Sequence, residues 1–361
     1  MRIRFTILVI ILPLIVKGQS LIVVDNGSPQ FFIDLNVAID SASSGSAIYV
    51  PGGVYTLTTK INKKLFIYGS GHDPDSSTAT GISKISGNIS IIAGADSGML
   101  MGFVIPNALT FGSSEFANDK VVTHYTIARC NIGYLQLTPS NGLYCLQPNS
   151  NAVNNLFYNN VIGGLFAADA QNNLFLNNIF SGIVQRIGIN SLLQNNIFLA
   201  QGYCSAYCYA ALGSVLSSSI ANNIFTSNAL SIGTTHFCYG DYVTNNTTFS
   251  NNLFVENNAV NNYCSTCNDQ NNFWNQDSSS IFINNTSGHL FSYSSDYHIQ
   301  ATSAGHNGGT DGSDVGIYGG IYPWKEGSLP SNPHISYKSI ASGTDMNGNL
   351  QINIKVEGQD H

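Results

Sequence analysis

The stretch "NNLFYNNVIGGLFAADAQNNLFLNNIF", Asn154 to Phe180, writes an asparagine doublet followed by apolar residues four times over. A shift of 18 positions lays Asn154 on Asn172, Asn155 on Asn173, Asn159 on Asn177, Asn160 on Asn178 and Val161 on Ile179. A second shift carries Asn172 onto Asn190, Asn177-Asn178 onto Asn195-Asn196 and Ile179-Phe180 onto Ile197-Phe198. The doublet then returns at Asn222-Asn223, Asn251-Asn252 and Asn271-Asn272, at intervals of 27, 29 and 20 residues. A fixed mark at growing intervals describes one structural unit whose turn is kept while loops are inserted into it.

About 18 residues accommodate three strands of 3 to 5 residues with their turns, so one unit corresponds to one coil. Coils stacked about 4.8 Å apart bring identical residues into columns. Asparagine suits such a column in two ways. It tolerates the left-handed backbone of a sharp corner, and its amide both donates and accepts, so stacked side chains can bond along the column. Aspartate in its place would align like charges about 5 Å apart. The Ile-Phe and Leu-Phe pairs after each doublet supply inward-facing layers. The expected fold is therefore all-β, a single-stranded solenoid.

Composition agrees. Of 361 residues only 33 are charged, 9%, against roughly 25% in an ordinary soluble domain. There are 43 asparagines, 29 of them between Asn151 and Asn285, so polarity rests on neutral amides. Asn and Gly disfavour helix interiors, while the many β-branched and aromatic residues favour strands. The net charge is −7, and between Val121 and Trp324 the only cations are Arg129 and Arg186. Phosphate binding needs clustered cations, which excludes nucleic acid as a partner and disfavours polyanionic polysaccharides.

Arg2 and Arg4 precede the apolar run "FTILVIILPLIV", too short and too broken by Pro13 to span a bilayer, so residues 1–19 read as a secretory signal and the mature chain as exported, in periplasm, cell surface or medium. Residues 20–45 read as an N-terminal cap. Phe32, Leu35, Ala38, Ile39 and Ala42 recur at helical spacing, and Ser43-Ser44-Gly45 stops the helix. "AIYV", "VYTLTT" and "KLFIYGSG" follow as short strands. The coils are expected over 46–302. Residues 303–361 read as a C-terminal cap or small β module, in which "HISYKSIA" and "LQINIKVEGQ" alternate like ordinary strands around a "TDMNGN" turn.

The helix followed by "GSAIYVPGGVYTL" and "KLFIYGSG", then irregular coils marked by Asn-Asn-x-Phe, resembles the right-handed parallel β-helix of the pectin-lyase-like superfamily over roughly Phe31 to Gln300. The tail "SAGHNGGTDGSDVGIYGGIYPWKEGSLPSNPHI" resembles the closing segment of exported β-helix proteins of Gram-negative bacteria. A left-handed hexapeptide helix also has 18 residues per coil but repeats an apolar residue every six, whereas here doublets alternate at 5 and 13. Many members of the superfamily cleave acidic polysaccharides. The resemblance implies, for a hydrolase, an Asp-Asp doublet and a Gly-His-Gly, both absent here, and for a lyase an Arg or Lys base among calcium-binding acids. With two arginines in the coils that machinery is thin.

Several residues nevertheless invite a site. Asp169 and Arg186, 17 apart, sit diagonally on neighbouring coils, as a surface ion pair or as an acid and a base. Asp241, Glu256, Asp269 and Asp277 fall in the wide loops, where they are solvated or could hold calcium, the one cofactor considered. His72, Asp73 and Asp75 belong to a turn-rich loop. The cysteines are more telling: Cys204, Cys208, Cys238, Cys264 and Cys267 occupy three successive insertions and would converge on one face if those loops leave the same corner, while Cys130 and Cys145 stand apart. In an exported chain they are candidates for disulfides that staple loops to the stack; zinc, with His236 beside Cys238, is the alternative. Seven cysteines leave at least one unpaired. Tyr203, Tyr207, Tyr209, Phe237, Tyr239, Tyr242 and Tyr263 decorate the same loops and either stack on sugars or pack loop against loop. Three functions remain open: a binding or surface-structural module for a glycan or protein, a carbohydrate-active enzyme (polysaccharide lyase or glycoside hydrolase) with a non-standard site, and an assembly module docked by its C-terminal segment.

Overall fold

A computed structural model of the chain describes residues 21–112, 121–138, 152–200, 203–204, 208–209, 211–227, 230–231, 244–256, 260, 264–285 and 288–358. Short parallel strands stack into two long sheets. In the first, Ala47–Tyr49, Phe66–Tyr68, Met99–Met101, Thr126–Ala128, Leu156–Tyr158, Leu174–Leu176, Leu192–Gln194, Ser219–Ala221, Thr248–Ser250 and Asn268–Gln270 follow one another in chain order. Leu156 pairs with Leu174, Leu174 with Leu192, Leu192 with Ser219, Ser219 with Thr248 and Thr248 with Asn268. Those steps of 18, 18, 27, 29 and 20 residues are the intervals of the doublets, so each doublet interval is one turn of the stack.

The two asparagines of a doublet do different work. The first turns the corner, with φ of 54° at Asn159, 55° at Asn177, 56° at Asn195, 58° at Asn222 and 53° at Asn251. The second builds a ladder of one polarity. Nδ2 of Asn160 donates to Oδ1 of Asn178 at 3.0 Å, and the relay continues through Asn196, Asn223, Asn252 and Asn272 at 2.9 to 3.1 Å. Each Nδ2 also donates to a main-chain carbonyl, from Asn160 to Ile127 at 2.9 Å and from Asn196 to Phe175 at 2.8 Å. A buried amide thus has its donors and acceptor used, which removes the penalty of burying it. The relay begins where Cys130 N–H donates to Asn160 Oδ1 at 3.0 Å and ends where Asn272 donates to the carboxylate of Asp269 at 2.6 Å.

Inside the ladder the apolar columns fill the core. Phe180, Phe198, Phe225, Phe254 and Trp274 stack with centroids 4.9, 4.4, 4.7 and 4.1 Å apart. At the N-terminal end the helix α1, Leu35–Ser41, starts on Asp34, whose side chain accepts from the N–H groups of Asn36 and Val37, and buries Leu35, Ala38 and Ile39. Phe32 is not part of it. It lies in the strand Gln30–Phe32, paired antiparallel with Ile22–Asp25, which in turn runs antiparallel to Ala47–Tyr49 and extends the first sheet. Helical spacing alone could not separate Phe32 from the turn, because Asp34 as cap begins the helix two residues later.

The C-terminal segment divides in two. Residues 303–333 run back along the corner column of first asparagines. Asn251 Nδ2 donates to Gly308 O at 2.8 Å, Thr310 N–H donates to Asn222 Oδ1 at 3.0 Å, Asn195 donates to Gly316 O at 3.1 Å, Asn177 to Gly319 O at 2.7 Å, and Arg129 Nη1 to Leu329 O at 2.7 Å. This strap spans several coils rather than closing an end. Only His334–Ile340 and Ile352–Glu357 form a separate antiparallel hairpin, as their alternation anticipates.

Candidate functional site

The residues expected to act fall in several places. Cys145, Tyr207, Phe237, Cys238, Tyr239, Asp241, Tyr242 and Tyr263 lie outside the described residues, as do the signal residues 1–19. Tyr203–Cys204 and Cys208–Tyr209 form a small antiparallel hairpin whose register sets Tyr203 opposite Tyr209 and Cys204 opposite Cys208. It interrupts the chain between the strands Ile197–Phe198 and Leu212–Val215, whereas the next insertion follows Leu230–Ser231. The insertions therefore do not leave the stack at one equivalent point.

Cys264 and Cys267 are joined to each other by a disulfide and are buried in the core. Two cysteines three apart in a tight turn meet before either reaches a distant loop. A ring this small constrains the unfolded chain by only about 2 kcal/mol. Replacing both cysteines by serine should therefore lower the unfolding free energy by about 2 kcal/mol in urea titration. Cys130, also a disulfide candidate, is instead a free, buried thiol at the ladder position that Asn160 holds one coil later; its S–H lies 3.2 Å from Ala128 O, and burial pushes the thiol up to about 12.

The arginines are occupied by packing. Arg129 stands at a left-handed corner, φ 49°, almost wholly buried beneath the strap, and Arg186 lies over the ring of Phe166 at 5.6 Å. Asp169 belongs to the strand Leu165–Ala170, whose pairing brings Ala170 opposite Ile187 across a register shift. Asp277 caps the short helical turn Ser278–Ser280, Asp269 closes the amide ladder, and Asp73 accepts from Asp75 N–H and Ser76 Oγ. Among the described residues no three His, Cys, Asp or Glu side chains are grouped so as to hold a metal ion, and no helix is long and apolar enough to cross a membrane.

One acid–base group is assembled on the surface. Asp296 Oδ1 accepts from His298 Nδ1 at 2.7 Å, the imidazole stacks on Tyr318 at 3.6 Å, and Tyr318 donates to Glu326 Oε1 at 2.6 Å. Hydrogen bonds from His298 hold the Asp296 carboxyl below its usual range against its partial burial, and burial pushes the Tyr318 phenol upward. The arrangement orients an imidazole on one carboxylate and stacks it on a phenol bonded to a second.

Among the described residues, one concave feature is a cavity of about 320 Å³ beside the last coils. Thr226 forms one side. Its hydroxyl donates to Phe198 O, and neighbouring Ser227 donates to Ala200 O, which places the cavity next to the root of the Tyr203–Tyr209 hairpin. Ser278 and Ser279 line a second side, and Phe282, Ile283 and Asn284 a third. Gln300 spans them, its Nε2 donating to Ser279 O and Phe282 O at 3.1 and 2.6 Å. Asn285 and His289 complete the wall; Asn285 Nδ2 donates to Gly288 O, while Asn285 Oδ1 and His289 Nδ1 are buried atoms with no hydrogen-bond partner. The lining contains no carboxylate, ammonium or guanidinium.

These residues escaped the reading of the sequence, yet a signal is present. In "SIFINNTSGH" the doublet Asn284-Asn285 is followed by Thr-Ser-Gly rather than an apolar pair, so it cannot continue the ladder. No family model, curated protein or solved structure matches this chain.

Proposed function

We propose that this protein is an exported right-handed parallel β-helix of the pectin-lyase-like kind, with α1 as its N-terminal cap, that acts as a binding or surface-structural module for a neutral glycan. The carrying observation is the cavity beside the Tyr/Cys hairpin, lined by hydroxyls, amides, an imidazole and one phenyl ring, with no charged side chain. Small-molecule sites combine an apolar wall with a few convergent polar groups. An uncharged set of this kind matches the hydroxyls of a neutral sugar and gives no compensation to a uronate or phosphate. The stacked coils supply a rigid mount.

A glycan array followed by product analysis tests this reading. Binding to neutral glycans with no new reducing or unsaturated ends is the expected result. Replacement of both Tyr207 and Tyr239 by alanine should weaken binding at least tenfold while the thermal transition stays in place; unchanged affinity for every glycan removes the loops from the site. The alternative, a polysaccharide lyase or glycoside hydrolase, draws on Asp296, His298 and Glu326 around Tyr318, and the appearance of cleavage products that Asp296→Asn eliminates would replace the binding reading by that one.

A further inference from the structure

Independently of the glycan reading, we infer that the C-terminal hairpin is a dimerisation element in which the strand Ile352–Glu357 pairs antiparallel with the same strand of a second copy, centred on Ile354, to form one four-stranded sheet. Among the described residues the hairpin's two strands, His334–Ile340 and Ile352–Glu357, pair only with each other. Directly opposed residues share a face, so Ile335, Lys338, Ile340, Ile352, Ile354 and Val356 lie on one side. Asn353, Lys355 and Glu357 lie on the other. The first side is apolar except for Lys338, and its Ile340, Ile352, Ile354 and Val356 are between 49% and 59% exposed. An isolated two-stranded hairpin is marginal in water and gains independent stability from further strands.

The second strand has a regular free edge. Gln351 O accepts from Ala341 N–H at 2.9 Å and Lys355 O accepts from Ser336 Oγ at 3.4 Å, so the odd-numbered residues face the first strand. Ile352, Ile354 and Val356 therefore turn their N–H and C=O groups outward. Register and charge then select the occupant. Centred on Ile354, the strand meets its own copy with Ile354 opposite Ile354, Ile352 opposite Val356 and Asn353 opposite Lys355. Apolar residues meet apolar ones, and no charge meets its like directly across the seam. A slip of one residue sets apolar side chains against polar ones. Centring on Lys355, or pairing the two strands in parallel register, opposes lysine with lysine, and centring on Asn353 leaves only Ile352 to Ile354 of the strand in the seam. The edge of His334–Ile340 is unsuitable, because its pairing shifts between Ile335 and Tyr337 and centring it on Lys338 again opposes like charges. Lys355 is bonded to Glu357 within each strand, so the seam carries no net charge of its own. A foreign strand would have to match this alternation and this charge order; a second copy already does.

The test is the mass of the intact protein in solution, measured by light scattering from about 1 to about 100 µM. A dimer that dissociates on dilution is the expected result. Ile354→Pro deletes one outward N–H at a free edge, where proline is tolerated, and removes no bond of the hairpin itself. Ile354→Lys opposes two cations at the centre of the seam. Each should raise the dissociation constant tenfold or more while the thermal transition of the stack stays in place. The register is read with Ile354→Cys, which should cross-link to its own copy under a short bis-maleimide, whereas Tyr337→Cys, on the other strand and the other face, should cross-link no more than wild type. A monomer throughout the concentration range overturns the inference. So does a dimer that both the proline and the lysine variants leave unchanged, since its contact lies elsewhere, and so does equal cross-linking from the two cysteine positions.

Discussion

Acidification from pH 7 to pH 4.5 should cost this fold about 2.5 kcal/mol through one histidine, and His72→Phe should remove that loss. His72 is fully buried. Tyr293 Oη donates to the carbonyl oxygen of His72 at 2.9 Å and accepts from Asn131 Nδ2 at 3.0 Å, so the remaining contact, 2.9 Å from His72 Nδ1, is a donation by the imidazole. That assigns the neutral tautomer with its proton on Nδ1 and leaves Nε2 without a partner, while the imidazole and Trp324 rings meet edge-on with centroids 6.5 Å apart. Desolvation lowers the histidine from 6.5 to about 3. The folded state thus binds the proton less well than the unfolded chain. The unfolded state gains protons as pH falls below 6.5, and stability present above that value is lost progressively down to about pH 3.

The groups facing this histidine from the packed elements, Tyr293, Asn131 and Trp324, are neutral; Asp73 lies near Tyr293. Carboxyls held low elsewhere, such as Asp96 bonded by Thr123, lose stability in acid in both proteins and cancel in the comparison. Urea midpoints at pH 7, 5.5 and 4.5 would measure the difference. Parallel pH curves for wild type and His72→Phe would show that His72 does not carry the effect. Because His72, Tyr293 and Trp324 join an early coil, a late loop and the strap, the first structural consequence should be release of the strap.

The second large effect is Asn196→Asp, which should destabilise by about 3–5 kcal/mol, the range for breaking a buried charge-compensated network. Asn196 is fully buried; it accepts from Asn178 and donates through Nδ2 to Phe175 O at 2.8 Å and to Asn223 Oδ1 at 2.9 Å. Aspartate keeps the acceptor and loses both donations, so a carboxylate faces two oxygens at a position with no solvent exposure. Its neighbour makes the contrast. Asn195 has φ 56°, a conformation glycine adopts freely, and its amide serves the strap at Asp314 O and Gly316 O. Asn195→Gly should therefore cost only about 1 kcal/mol, the net worth of an ordinary hydrogen bond. Equal costs at 195 and 196 would contradict the division of labour within the doublet.

Much of this was legible in the chain itself. The doublets at Asn154, Asn159, Asn172 and Asn177 announced the coil length, and the widening intervals announced where loops enter, because in-register stacking makes sequence period and spatial period the same quantity. Helix α1 and the C-terminal hairpin were readable from spacing and alternation. The site was less so. Cavity walls come from Thr226, Ser279, Asn285, His289 and Gln300, separated by up to 74 residues and bearing no shared pattern. The cysteine and tyrosine loops drew attention by composition, but composition does not say which corner an insertion leaves.

What the sequence by itself determined is the repeating part: strand length, coil period, inward aromatic column and amide ladder, all consequences of local backbone preference and of like residues stacking on like. Only the tertiary structure decided which asparagine of a doublet turns and which joins the amide ladder, that Cys264 closes on Cys267, that residues 303–333 lie along the stack, and that His72 meets Tyr293 across 221 residues. Those contacts join segments with no common period. They are set by how the whole stack folds back on itself, and no short-range pattern in the chain encodes that.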